Sequence, residues 1–223
     1  MERVFDCLAV WIDRVPRDGP GQMACDEVLL ARATEPVLRI FRWAAPWVSI
    51  GCFVPWPEAA ATAPGLPVCR RWTGGGVVVH DGDFTFALTA PRAEPWARSR
   101  PAESYRLLHA ALAEALRGMG RTAELFADDV RGQAACFAGP VRHDLVDGSR
   151  KVAGGAQRRT KRGLLHQGSV RQEGLEAGLT TGLAAALAAG TTPWITPDGF
   201  EEEVAALAGA KYAREEFLRR KGP

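Results

Sequence analysis

Residues 136–170 read CFAGPVRHDLVDGSRKVAGGAQRRTKRGLLHQGSV, and the rest of the chain is organised around this stretch. It carries a lone cysteine, Cys136, then Lys151 followed by Gly154, Gly155 and Ala156. A basic run (Arg158, Arg159, Lys161, Arg162) comes next, and then an apolar segment with His166 and Gly168. Glycines behind a lysine let the backbone turn tightly and bring its N–H groups near a ligand. The spacing therefore predicts a turn at which the lysine meets a carbonyl or phosphate oxygen, an acyl or phosphate site.

Working outward, residues 70–81 read RRWTGGGVVVHD, three glycines between a basic pair and an apolar run ending in His-Asp. This predicts a strand, a backbone-lined turn and a second strand. Taken with GSRKVAGGAQRR, the pair resembles the biotin/lipoate protein ligase superfamily, in which RRxTGGGxVxHD and GxKxxGxAQxR segments recur in this order. The resemblance runs from the MACDE segment at Met23 to about Val170. It implies an α/β fold of the α+β kind, a central mixed and largely antiparallel sheet flanked by helices, similar to class II synthetases. A single catalytic domain over 1–223 is expected, helical in its C-terminal portion from about 173. The implied pocket residues are Arg71, Thr73, Gly74, Gly75, Gly76, Val77 and His80 from one segment, and Gly154, Gly155, Ala156, His166 and Gly168 from the other.

Members of this superfamily attach a carboxylic acid to one lysine of a small acceptor domain. Lys151 is then the cation beside the scissile carbonyl, stabilising the developing oxyanion and disfavouring protonation of the incoming amine; its bland alternative is a solvated surface lysine. Cys136, in an ACF segment, resembles the nucleophile of the cysteine-dependent octanoyltransferases, which take octanoate from acyl carrier protein through an acyl-cysteine intermediate. Its alternative is a small buried hydrophobe, the default for Cys7, Cys25, Cys52 and Cys69. HDGDFTF is similar to that branch's HDxELTY, whereas Gly74-Gly75-Gly76 follows the ATP-dependent lipoate ligases. The transferase reading needs no cofactor; the ligase reading needs ATP and Mg²⁺ to form lipoyl adenylate. The implied acceptor is a lipoyl domain, either the glycine-cleavage H protein or a 2-oxoacid dehydrogenase E2. Arg158, Arg159 and Lys161 form a solvated basic face or, more sharply, dock acidic carriers. A third reading, a non-catalytic lipoyl-domain binding module, would keep that face without Lys151.

Composition sets the bounds. A chain of 223 residues suits one well-buried domain, and 47% hydrophobic with 24% charged residues excludes a disordered or fibrous class. A net charge of +2 and a basic run without interleaved aromatics argue against nucleic acid. No apolar run approaches the ~20 residues that span a bilayer, and no secretory signal pattern is present, so a cytoplasmic protein is expected; a monomer is expected as well. Five scattered cysteines fit neither a disulfide framework nor zinc spacing, and no metal site is expected.

Periodicity predicts a strand over 4–15 with Leu8, Val10 and Ile12 on its packed face, a turn at 18–21 and a helix over 22–34. Asp26 and Glu27 are read there as first-turn carboxylates favoured by the helix dipole. Strands follow at 37–43 and 47–53 around a turn, a Pro-rich loop with at most one helical turn over 55–67, and a strand at 68–72. Strands at 77–79 and 84–89 are joined by His80-Asp81-Gly82-Asp83. The clearest helix runs over 101–119, with Tyr105, Leu108, Leu112 and Leu116 as its apolar stripe; its His109 has no partner visible in sequence. His80 and His166 are read as pocket residues, since no third carboxylate at triad-like spacing is identifiable. Residues 197–220 suggest one or two amphipathic helices.

Overall fold

The computed structural model describes residues 3–127, 139–171 and 174–220, with backbone alone at 58–60 and 176–177. In chain order the elements are β1 (Phe5–Arg17), α1 (Gly19–Arg32), β2 (Val37–Trp43), β3 (Trp47–Ile50), α2 (Trp56–Thr62), β4 (Val68–Arg70), β5 (Val77–His80) and β6 (Phe84–Pro91). These are followed by α3 (Pro95–Arg98), α4 (Pro101–Gly118), β7 (Glu124–Leu125), β8 (Leu145–Asp147), β9 (Arg150–Arg159), β10 (Gly163–Val170), α5 (Glu176–Leu187), β11 (Ala188–Pro193), α6 (Phe200–Leu207), a π-helical turn (Ala208–Tyr212) and α7 (Glu215–Arg219).

The strands form an eight-stranded sheet, ordered β11-β1-β2-β6-β10-β9-β8-β7, and a three-stranded sheet, ordered β4-β3-β5. β1 is parallel to both of its neighbours, and every other adjacent pair in the large sheet is antiparallel. This is the mixed, largely antiparallel sheet expected. One face is buried against α4 and α5 through Phe86, Leu88, Leu164, Leu108, Leu112 and Leu183. The other carries α1 and the C-terminal helices, through Met23, Leu29, Val37, Phe200 and Tyr212. The stripe read on α4 holds, because Leu108, Leu112 and Leu116 are fully buried.

The differences from the sequence reading are mostly about partners. Residues 37–43 and 47–50, and again 77–80 and 84–91, are strands separated by short turns, yet the members of each pair lie in different sheets. Turn chemistry fixes where a chain bends but not which edge it joins. β1 buries Leu8 as expected, while Ile12 is 57% exposed and Asp13 and Arg17 are buried instead. α1 begins at Gly19, inside the expected turn, because the Asp18 side chain caps it by accepting from the Gly21 N–H at 2.8 Å. Asp26 is therefore not a first-turn carboxylate. It is fully buried and paired with Arg39 at 2.6 Å, while Glu27 pairs with Lys211 and accepts from the Tyr212 hydroxyl. The Pro-rich segment holds a seven-residue helix, α2. β11 was not foreseen at all.

The basic run is divided by strand alternation. Arg158 lies over the Trp72 ring at 5.1 Å, whereas Arg159 points through the opposite face of β9, donating to the Ala97 carbonyl and the Ser104 hydroxyl. With Lys161 beyond the strand end, Arg158, Arg159 and Lys161 do not form one face. Among the described residues no helix is long and apolar enough to cross a membrane.

Candidate active site

A cavity of about 490 Å³ lies between the large sheet and the small one. Its floor is Gly154, Ala156, Gln167 and Ser169 on β9 and β10; Phe41, Trp43 and Thr85 close one side, and Gly75, Gly76, Val77 and Val78 form the opposite wall. Among its described lining residues four are cationic, Arg71, Arg150, Lys151 and Arg171, and none is acidic. An apolar slot with a positive rim suits an acyl chain that ends in a polar or anionic head.

The first glycine segment is the expected turn between strands. Gly75 has φ +78°, the left-handed region that favours glycine. Arg71 is buried behind the turn and donates to the Ser49 carbonyl and hydroxyl at 2.8 and 2.6 Å, and to the Gly74 and Gly76 carbonyls at 3.0 and 2.9 Å. Burial pushes its guanidinium down to about 10, which leaves it charged at neutral pH. His80 stacks on Trp43 at 4.1 Å and bridges Ser49 Oγ (2.7 Å) to Asp83 Oδ2 (2.8 Å). Burial holds its pKa below the usual histidine value against the pull of Asp83. Asp83 is in turn kept below the usual carboxylate range: burial opposes this, but hydrogen bonds from His80, Ser169 and Thr85 prevail.

The second segment corrects the sequence reading. Gly154 and Gly155 lie within the extended strand β9 and form no turn. Their lack of a Cβ serves the neighbours. At Gly154 a Cβ would stand 2.5 Å from Lys151 Cε, and at Gly155 it would stand 2.2 Å from His166 Nε2. Lys151 Nζ lies 2.6 Å from Asp144 Oδ2, and Asp144 is fully buried. The Asp144 carboxylate also accepts from the Tyr105 hydroxyl at 2.5 Å and from the Val141 N–H at 2.8 Å, while the same hydroxyl accepts from the Gly155 N–H at 2.9 Å. The lysine is thus tethered at the cavity rather than waving in solvent.

Of the sequence-predicted residues, Arg71, Gly75, Gly76, Val77, His80, Lys151, Gly154, Gly155, Ala156 and Gly168 line the cavity. Thr73 lies behind it, donating to Gln167 at 2.6 Å; Gln167 donates to Asp26, which completes a buried link to Arg39 and Asp13. Gly74 is not among the lining residues; its carbonyl accepts from Arg71. His166 is not a cavity residue. It projects from the other face of β10 toward α4, 5.4 Å from His109 and 5.3 Å from Tyr105, and burial holds it well below the usual histidine range. Cys136 lies outside the described residues. Among the described cysteines Cys7 is exposed and Cys25, Cys52 and Cys69 are buried; burial pushes the Cys25 and Cys69 thiols up to about 12, so neither is a nucleophile at neutral pH. Among the described residues no group of three or more His, Cys, Asp or Glu side chains is placed to hold a metal.

Asp144 went unread in the sequence, while Tyr105 was read only as part of the α4 stripe, Asp83 only as a turn residue, and Ser49 only as part of a short strand that the resemblance puts beside the pocket. The Asp147-Gly148 dipeptide was the available signal for the first, since it predicts the tight β8–β9 hairpin that folds Asp144 back onto Lys151.

The family described as lipoyl protein ligase A/B catalytic domain matches residues 18–177. An octanoyltransferase LipM from Moorella thermoacetica is 34% identical over 172 residues, covering 71% of this chain and 63% of that protein. The chain spans about three fifths of the length of the curated relatives it matches. Among solved structures, a lipoate-protein ligase A bound with ATP superposes with a TM-score of 0.77 at 19% identity, covering 96% of this chain and 98% of that one. A bi-partite lipoate protein ligase from Thermoplasma acidophilum gives 0.71 at 18% identity, covering 99% and 98%. Both likenesses are of fold.

Proposed function

The chain belongs to the lipoyl protein ligase A/B catalytic domain family, and on that premise we propose that it is a protein octanoyltransferase. In this reading it moves an octanoyl group from acyl carrier protein to the lysine of a lipoyl-type acceptor domain through an acyl-cysteine at Cys136. The observation that carries it is the Lys151–Asp144 pair at the edge of an acyl-sized, glycine-walled cavity. Supporting it is the similarity to LipM octanoyltransferases. Cys136 also stands only three residues before Gly139, which lines the same cavity.

The Cys136 thiolate attacks the thioester carbonyl, the carrier's C–S bond breaks, and the carrier leaves as a thiolate that takes a proton from solvent. The acceptor amine, neutral when it attacks, then forms the amide, frees the thiolate and gives up its proton to solvent. Exchanging one thioester for another changes bond energy little, so no activation by ATP is required. Lys151 presents its ammonium to the carbonyl oxygen while Asp144 and Tyr105 hold it in place. Met23, Phe41 and Trp43 shelter the acyl chain, each methylene contributing about 0.8 kcal/mol on burial.

Incubation with octanoyl acyl carrier protein should add one octanoyl mass, labile to hydroxylamine, to the peptide containing Cys136, and Cys136→Ser should lose transfer. An adduct on exposed Cys7, or full activity in the Ser variant, would remove Cys136 from the mechanism. The positive rim favours a second reading, an ATP-dependent lipoate ligase with its phosphates against Arg150, Lys151 and Arg171.

A further inference from the structure

The turn at Gly74–Gly76 has its carbonyls on the inside. Arg71 Nη2 donates to the Gly74 and Gly76 oxygens, and the Gly51 N–H donates to Gly76 at 3.0 Å. The Gly75 oxygen packs so close to Gly51 that a Cβ there would lie 2.0 Å away. All peptide bonds here are trans, and in a trans peptide the following N–H points opposite to the carbonyl. The N–H groups of Gly75, Gly76 and Val77 are therefore aimed away from Arg71, and these three residues line the cavity. Among the described residues no acceptor takes the Gly75 or Gly76 N–H. Because Gly51 bonds Gly76, the neighbouring Ile50–Val77 pair is a non-hydrogen-bonded one, and the Val77 N–H points away from β3.

What holds Arg71 in place is a chain of hydrogen bonds whose direction is fixed by chemistry. Arginine can only donate, and an ionised carboxylate can only accept. Ser49 Oγ therefore accepts from Arg71 and donates to His80 Nε2, and the His80 Nδ1–H donates to Asp83. Ser49 borders the cavity with no exposed surface, and its hydroxyl is engaged by Arg71 on one side and His80 on the other.

We propose that Asp83, His80, Ser49 and Arg71 are positioning residues that pull the glycine carbonyls inward and so aim the Gly75, Gly76 and Val77 amides into the cavity as a receptor for an acyl-derived oxyanion. The inference rests on the octanoyl-transfer reading only for the identity of that anion. The receptor complements Lys151 from the opposite wall: preorganised backbone donors on one side of the reacting oxygen, an ammonium on the other.

Amide NMR of the full chain titrated with octanoate tests it. In the wild type the Gly75, Gly76 and Val77 amide protons should shift saturably. In Ser49→Ala and Asp83→Asn the affinity should fall about tenfold or more, with melting temperature within a few degrees of wild type. In octanoyl transfer Ser49→Ala should lower kcat about tenfold with the carrier KM unchanged. Unshifted amides in the wild type, equal octanoate affinity in both variants, or a raised KM at unchanged kcat would each overturn the relay. Failure of octanoyl transfer itself would leave the titration intact, so the two ideas fail separately.

Discussion

The turn Gly74-Gly75-Gly76, whose last two residues form one wall of the cavity, and the pair Gly154-Gly155 at its floor read alike in sequence, glycines close to a cation. They do different work. The first set bends: Gly75 takes a left-handed conformation, and the loop turns its carbonyls onto Arg71. The second set stays extended and makes room, Gly154 for the Lys151 side chain and Gly155 for the His166 ring. Glycine can be selected for its backbone freedom or for its missing Cβ, and sequence alone does not separate these.

Substitution by alanine separates them. Gly155→Ala has the largest expected effect, because its Cβ would meet an imidazole nitrogen at 2.2 Å and the Gln167 carbonyl at 2.8 Å, neither on a flexible chain end. Overpacking of this kind should cost about 3 kcal/mol in urea unfolding; a loss below about 0.5 kcal/mol would show that the strand can shift to admit a side chain.

The His166 ring that Gly155 admits belongs to a buried pair. Burial pushes His109 down to about 4 from 6.5, with Asp144 and a backbone hydrogen bond at His143 pulling up and the charges of Lys151 and His143 pulling down. The folded pKa lies below the unfolded one, so between these values the unfolded chain binds more protons. Stability is therefore full above about pH 6.5 and is lost as pH falls toward 4, by on the order of 3 kcal/mol from His109. His166 acts with the same sign. Unfolding free energies across this window should flatten in His109→Leu; an unchanged slope would assign the acid sensitivity elsewhere.

Gly154→Ala should cost less stability than Gly155→Ala, about 1–2 kcal/mol, because its Cβ would push aside a side-chain end, that of Lys151, although this loosens the pairing with Asp144, whose Oδ1 would stand 3.0 Å away. Displacing that ammonium should nonetheless lower turnover roughly tenfold. Full turnover would mean that the position of Lys151 does not matter.

The sheet class came from the family resemblance, whereas α1, α4 and the turn at Gly74–Gly76 were legible because each is written locally, in helical periodicity or turn residues. Sheet membership was not, since β3 and β5 leave the large sheet through long-range packing around Val48, Ile50 and Val54. The Lys151 and glycine segments were found by resemblance, but the groups that hold them, Asp144, Tyr105, Ser49 and Asp83, come from four separate segments. The division of Arg158 from Arg159 could have been read from period-two alternation had residues 150–159 been taken as a strand. Instead Gly154-Gly155 was read as a turn.

The central claim is that the acyl group arrives already activated. Octanoyl acyl carrier protein should octanoylate a lipoyl domain with no ATP or Mg²⁺ present, and free octanoate with ATP and Mg²⁺ should give no product. ATP-dependent modification from free octanoate or lipoate that survives Cys136→Ala would contradict the account and make the cavity an adenylate site.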